Sequence, residues 1–221
     1  MLPITSCHHI CGVFLAATML SGCVPAFSDF QSARTVGRNH LGLTPAYSSV
    51  FERQERGNER SSMEQVQHNV GLRLDFGLSD RIDLQVGYAR LMSTVESAEE
   101  DRPGFNVFGF GPKIAVVPGT LAALVPIGVV TGSGVEGQWG LQPTMLLTFS
   151  TAHVELTPSA KAIIPFDKEY DTMLAVNLGA GFGGSRGLVK VRPEVGFLTS
   201  PGSSGMYWAA GVGMSFSIKA D

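Results

Sequence analysis

Nine ionisable residues of this 221-residue chain stand at every second position inside otherwise small or apolar runs. They are Arg73, Asp75, Asp83, Lys113, Glu155, Lys161, Lys190, Arg192 and Glu194. Lys190, Arg192 and Glu194 are spaced i, i+2, i+4, which on a strand lines one wall with charge. Five of the nine are positive and four negative, a nearly neutral set. Such a set can pair internally or line a path for a polar solute. Uncompensated charge in a narrow, dry space is costly, so mutual pairing is the expected first role. The remaining charges concentrate in Glu52–Glu64 (ERQERGNERSSME) and Ser93–Gly104 (STVESAEEDRPG). The bland role for these stretches is a hydrated surface cover. The sharper role is contact with phosphate groups through Arg53, Arg56 and Arg60.

Other constellations carry less. Gly179-Ala180-Gly181-Phe182-Gly183-Gly184 matches G-x-G-x-x-G formally, but that motif needs a following helix and the next run alternates as a strand. No cofactor is expected. Cys7, His8, His9 and Cys11 have no second ligand pair downstream, so no metal site is expected. Of the histidines, only His68 lies near the long-loop side, beside Ser61 and Ser62. His40 and His153 lie at the opposite side. No nucleophile and base share a recognisable spacing, so no catalytic residue is assigned and the chain is not expected to be an enzyme.

The elements that position these residues follow from period two. Leu174, Val176, Leu178, Ala180 and Phe182 alternate with small residues, and Val189, Val191, Pro193, Val195 and Phe197 alternate with Lys190, Arg192, Glu194 and Gly196. One apolar face and one small or charged face is the mark of a strand. Gly 27, hydrophobic content of 44% and charged content of 16% suit glycine-tolerant strands. Net charge of −3 offers no basic field for nucleic acid.

Ten strands are expected: 40–50, 69–78, 82–91, 105–117, 121–130, 139–149, 154–164, 174–182, 189–197 and 207–218. A count of eight or twelve stays open. Their connections alternate long and short, starting long after the first strand. Tyr47, Tyr88, Phe105, Trp139, Phe197 and Trp208 fall at the long-loop ends. Phe76, Phe149, Phe182 and Phe216 fall at the short-turn ends. Two aromatic belts, loop asymmetry and an apolar face predict an antiparallel up-and-down barrel spanning a membrane. Mid-strand Pro112, Pro143, Pro158 and Pro193 should each mark a bulge or an opened pairing. The small inward residues Gly109, Gly111, Ala175, Gly179, Gly211 and Gly213 leave room for a thin polar passage.

Ahead of the strands, residues 1–22 read as a signal peptide with an apolar core at Ile10–Leu20. Leu20-Ser21-Gly22-Cys23 resembles the bacterial lipobox, which implies acylation of Cys23. Residues 23–38 read as a polar periplasmic tether and residues 39–221 as the barrel domain.

With strands, belts, loops and leader together, the chain resembles the small bacterial outer-membrane β-barrel proteins. The resemblance implies a place in the outer membrane, with the lipid anchor and both termini on the periplasmic side. It implies lipid, and at the loops lipopolysaccharide, as surroundings, and assembly by the barrel-assembly machinery. A narrow channel or transporter-like protein is the leading functional expectation. A non-conducting structural or surface-interaction barrel is its rival. A soluble lipidated lipocalin-like carrier and a lipid-modifying enzyme stand further off.

Overall fold

The computed structural model describes residues 26, 28–54, 62–94, 104–132, 135–183, 189–201 and 205–219. They form ten barrel strands. The first four are β1 (His40–Gln54), β2 (Ser62–Gly77), β3 (Ile82–Ser93) and β4 (Gly104–Val117). Two interrupted strands follow, β5 (Leu121–Leu124 with Ile127–Gly132) and β6 (Val135–Leu141, Thr144–Leu147 and Phe149–Ser150). The last four are β7 (Val154–Pro165), β8 (Met173–Phe182), β9 (Val189–Thr199) and β10 (Met206–Lys219). Each strand pairs antiparallel with the next, and β10 returns to pair β1 from His40↔Lys219 to Glu52↔Tyr207. The sheet is therefore a closed ten-stranded antiparallel barrel with no free edge.

The alternation sorts side chains by face as expected. Leu72, Val86, Phe110, Met145, Leu178, Val195 and Val212 all face outward and are exposed. Asp75, Asp83, Lys113, Glu155, Lys161, Arg192 and Glu194 face inward and are buried, with Arg73 and Lys190 half-buried beside them. An apolar exterior around a charged interior is the reverse of a water-soluble protein, and its extent far exceeds an ordinary surface patch. This is the arrangement of a transmembrane barrel. Strands of 10 to 16 residues, such as β8 and β2, are long enough to cross a bilayer when tilted. No helix among the described residues is long and apolar enough to do so.

Three details depart from the sequence expectation. β1 and β2 run further than expected, pairing Glu52↔Glu64 and Gln54↔Ser62 past a register shift at Val50/Phe51, so much of the first charged stretch is strand. Phe105 shares parity with Lys113 on β4 and pairs with the buried Leu91, so it faces the lumen instead of joining the outer belt. The prolines divide. Pro143 interrupts β6 as expected, and Pro126, which alternation gave no reason to single out, interrupts β5. There the ladder survives one-sidedly: the amides of Val125, Gln142 and Ala162 donate to the carbonyls of Pro112, Pro126 and Pro143. Pro158 and Pro193 lie inside unbroken strands, yet each stands at a gap in one neighbouring ladder, between Leu156↔Phe149 and Ser159↔Leu146 and between Val191↔Phe182 and Glu194↔Gly179, the opened pairing expected of them.

Candidate functional site: a lumen filled by the chain's own N-terminal segment

Residues 28–36, expected from sequence to belong to a polar tether outside the barrel, run through its interior. The chain enters at the end carrying the short turns, where His40 and Lys219 pair. Gly37 (φ 89°) and Asn39 (φ 58°) reverse it there, and the amide of His40 donates to the carbonyl of Gly37 at 3.1 Å. Glycine takes the left-handed region freely, and Asn more readily than most residues. Read backward from this turn, the segment climbs the lumen to mid-height at Asp29.

Inside, the segment has no ladder partner. Its backbone groups are bonded by lumen side chains, as buried peptide groups require. The amides of Asp29 and Phe30 donate to the Glu194 carboxylate at 2.6 and 2.8 Å. The amide of Ala33 donates to Thr148 Oγ1 at 2.8 Å, and that of Val36 to Asp83 at 3.0 Å. Lys113 Nζ donates to the Arg34 carbonyl at 2.6 Å, and Arg73 to the Asp29 carbonyl. Four of the nine sequence-assigned lumen residues thus hold the backbone of one inserted strand of chain.

Asp29 is the anchor. Its carboxylate sits 2.7 Å from Lys161 Nζ and accepts hydrogen bonds from Ser159 (2.8 Å) and Asn177 (3.2 Å). Its side chain is 5% exposed and that of Lys161 7%. Phe30 beside it adopts φ 45°, uncommon for a residue with a side chain. Its ring and Cβ lie where Gly211 and Gly213 carry no side chain; a Cβ on Gly213 would stand 2.9 Å from Phe30 Cβ. The small inward residues leave room, as expected. At Gly211 and Gly213 that room holds a phenylalanine and not a passage.

The other ion pairs lie in the turn-side half. Glu155 receives three cations: Lys190, Arg192 (3.0 Å) and Arg34 of the segment (3.2 Å). Arg73 pairs with Asp75 at 3.1 Å. Toward the long loops the lumen turns apolar, where Val50, Ile163, Ala175, Leu198 and Ala209 form a buried cluster with Tyr207 against it. Ala33 packs into a second cluster with Ala122, Leu124 and Leu146. The interior is thus filled along β1 and β7–β10, while a cavity of about 180 Å³ remains beside the segment, lined by Phe30, Asn69, Gln85, Gly109 and Gln142 among others.

Of the remaining sequence readings, His68 lies on β2 within hydrogen-bonding reach of Tyr47, Ser49 and Gln65, without a carboxylate among those partners. Cys7, Cys11 and Cys23, and the lipobox with them, lie outside the described residues, as do Ser61, Arg56 and Arg60. Among the described residues no group of histidines, cysteines and carboxylates is arranged to hold a metal ion.

Comparison with known proteins gives likenesses of shape only. No protein-family model matches the chain, and no curated protein sequence matches it. Among solved structures it is similar to the translocator domain of the autotransporter NalP from Neisseria meningitidis, at 13% identity over 95% of both chains and a TM-score of 0.46. It is also similar to the attachment invasion locus protein Ail of Yersinia pestis, at 10% identity over 82% of this chain and 99% of that one, TM-score 0.38. A third is the N-terminal β-barrel domain of OprF from Pseudomonas aeruginosa, at 12% identity over 82% and 99%, TM-score 0.34.

Proposed function

We propose that this protein is an outer-membrane β-barrel whose lumen is held shut by its own N-terminal segment, a non-conducting barrel that works as a membrane-embedded scaffold. The observation that carries this is the seating of Asp29 and Phe30 on Lys161 and Glu194 at mid-height, beneath an apolar layer at the loop end. A sequence of inward charges invites the reading of a narrow channel. Filled by residues 28–36, the same charges act as a socket. Its partners would then meet it at the loop rim, where Arg53 and its neighbours in the charged stretches could engage lipopolysaccharide phosphates. Acylation of Cys23 is a separate proposal, checked by incorporation of labelled palmitate that is lost in Cys23→Ser.

The test is planar-bilayer recording on the refolded chain, with heat-modifiable mobility showing that the barrel has folded. Folded protein that inserts without conductance steps supports the reading. Steady, discrete steps from the unaltered chain would overturn it.

A further inference from the structure

Beneath the seated segment, at the turn end, lies a second feature, an open space whose walls the socket shares. A cavity of about 470 Å³ opens between residues 31–36 and the walls formed by β1, β2, β4, β9 and β10. Six cations line it: Arg34, Arg73, Lys113, Lys190, Arg192 and Lys219. Asp75 is the one carboxylate among its lining residues. Glu155 and Asp83 stand behind this lining, and Glu155 alone is shared by Arg34, Lys190 and Arg192. Among the described residues the six cations therefore face three carboxylates, and the surplus is positive. Mid-height has the opposite balance, with Asp29 and Glu194 on Lys161.

A surplus of like charge in a walled space raises the local potential and draws counter-ions from the solution it opens to. Guanidinium and ammonium groups converging from several strands suit an oxyanion with more than one charge, because each can donate to a separate oxygen. We propose that this vestibule binds a small multivalent oxyanion of the phosphate class. Ser215 and Thr44 add hydroxyls to the lining, and Gln31, Ser32 and Thr35 of the segment complete it. Because the segment supplies Arg34 and part of the wall, a bound anion favours the seated state of the segment by mass action. The site rests on the seated segment of the proposed function but not on whether the barrel conducts, so calorimetry and bilayer recording can fail separately.

The test is titration calorimetry of the refolded full chain in detergent micelles with sodium pyrophosphate. Saturable binding with about one anion per chain is expected, weakening as ionic strength rises. Lys190→Gln combined with Lys219→Gln should weaken it at least tenfold, with the folded, heat-modifiable band retained because Arg34 and Arg192 still satisfy Glu155. Arginine at both positions should restore binding, and Arg34→Gln should weaken it. Lys168→Gln, an exposed lysine at the loop end, should leave it unchanged. Absence of saturable binding, or equal loss in Lys168→Gln, would overturn the site. Undiminished binding in Arg34→Gln would overturn the segment's part in it.

Discussion

Replacing Asp29 by alanine should loosen the inserted segment without breaking the barrel wall. The carboxylate contributes an ion pair to Lys161 at 2.7 Å and two hydrogen bonds, from Ser159 and Asn177, all in a buried setting. Removing one member of a buried pair costs about 3–5 kcal/mol, because the other charge stays desolvated. That cost falls on the seated state alone, since Lys161 can hydrate once the segment leaves. At about 1.4 kcal/mol per decade the ratio of withdrawn to seated chain rises by roughly a hundredfold to a few thousandfold. Hydrogen exchange followed by mass spectrometry reads this directly. Amides at Asp29, Phe30, Ala33 and Val36, each bonded to a lumen side chain, should lose protection by about that factor, while β8 and β9 amides keep theirs. Asp29→Asn, which keeps the size and loses the charge, should fall between. Unchanged protection across residues 29–36 in Asp29→Ala would refute the reasoning.

Three further outcomes follow from the same geometry. Gly213→Val should displace Phe30, whose Cβ lies 2.9 Å from the added atom, at a cost of about 1–3 kcal/mol to the seated segment; protease susceptibility of the segment should rise while the barrel stays heat-modifiable. Glu155→Gln leaves Arg34, Lys190 and Arg192 without their shared carboxylate and should destabilise the barrel by about 3 kcal/mol. The low end of the range applies because Arg34 is half exposed; urea titration of the heat-modifiable band measures it. Leu178→Arg places a charge on the outward face at the middle of β8, where the side chain is 47% exposed to the surroundings. In a bilayer this should cost about 2–4 kcal/mol, measured by reversible unfolding in lipid vesicles. A cost near zero would argue that this face meets water.

The barrel itself was legible because period two is a local signal. Leu174 to Phe182 and Val189 to Phe197 declare their faces within one strand, and the alternation of long and short connections orders the strands. The nine charged residues from Arg73 to Glu194 lie on the lumen face. What those side chains hold was not legible. Asp29 bonds Glu194 from 165 residues away, and Ala33 bonds Thr148 from 115 away. Contacts of a side chain with another segment's backbone leave no periodic trace. Residues 28–36 alternate neither by two nor by 3.6, which is how a loose tether reads, and also how a segment held from all sides reads. One signal was present: a surplus of small residues on the lumen face at Gly42, Gly211 and Gly213, where Val36 and Phe30 of the segment lie. Phe105 sits near a strand end, where belt aromatics gather, but its parity with Lys113 turns it to the lumen. Pro126 leaves no signal in the alternation because its strand is apolar on both faces.

The most direct test of the central claim is a disulfide across the lumen. Ala33→Cys and Thr148→Cys are introduced into a chain whose Cys7, Cys11 and Cys23 are replaced by serine, and the protein is refolded into vesicles. The amide of Ala33 lies 2.8 Å from Thr148 Oγ1, close enough for the two positions to be bridged. The account predicts near-complete oxidation within the folded, heat-modifiable monomer, read by mass spectrometry. Two free thiols that both react with a membrane-impermeant maleimide in the folded barrel would contradict it.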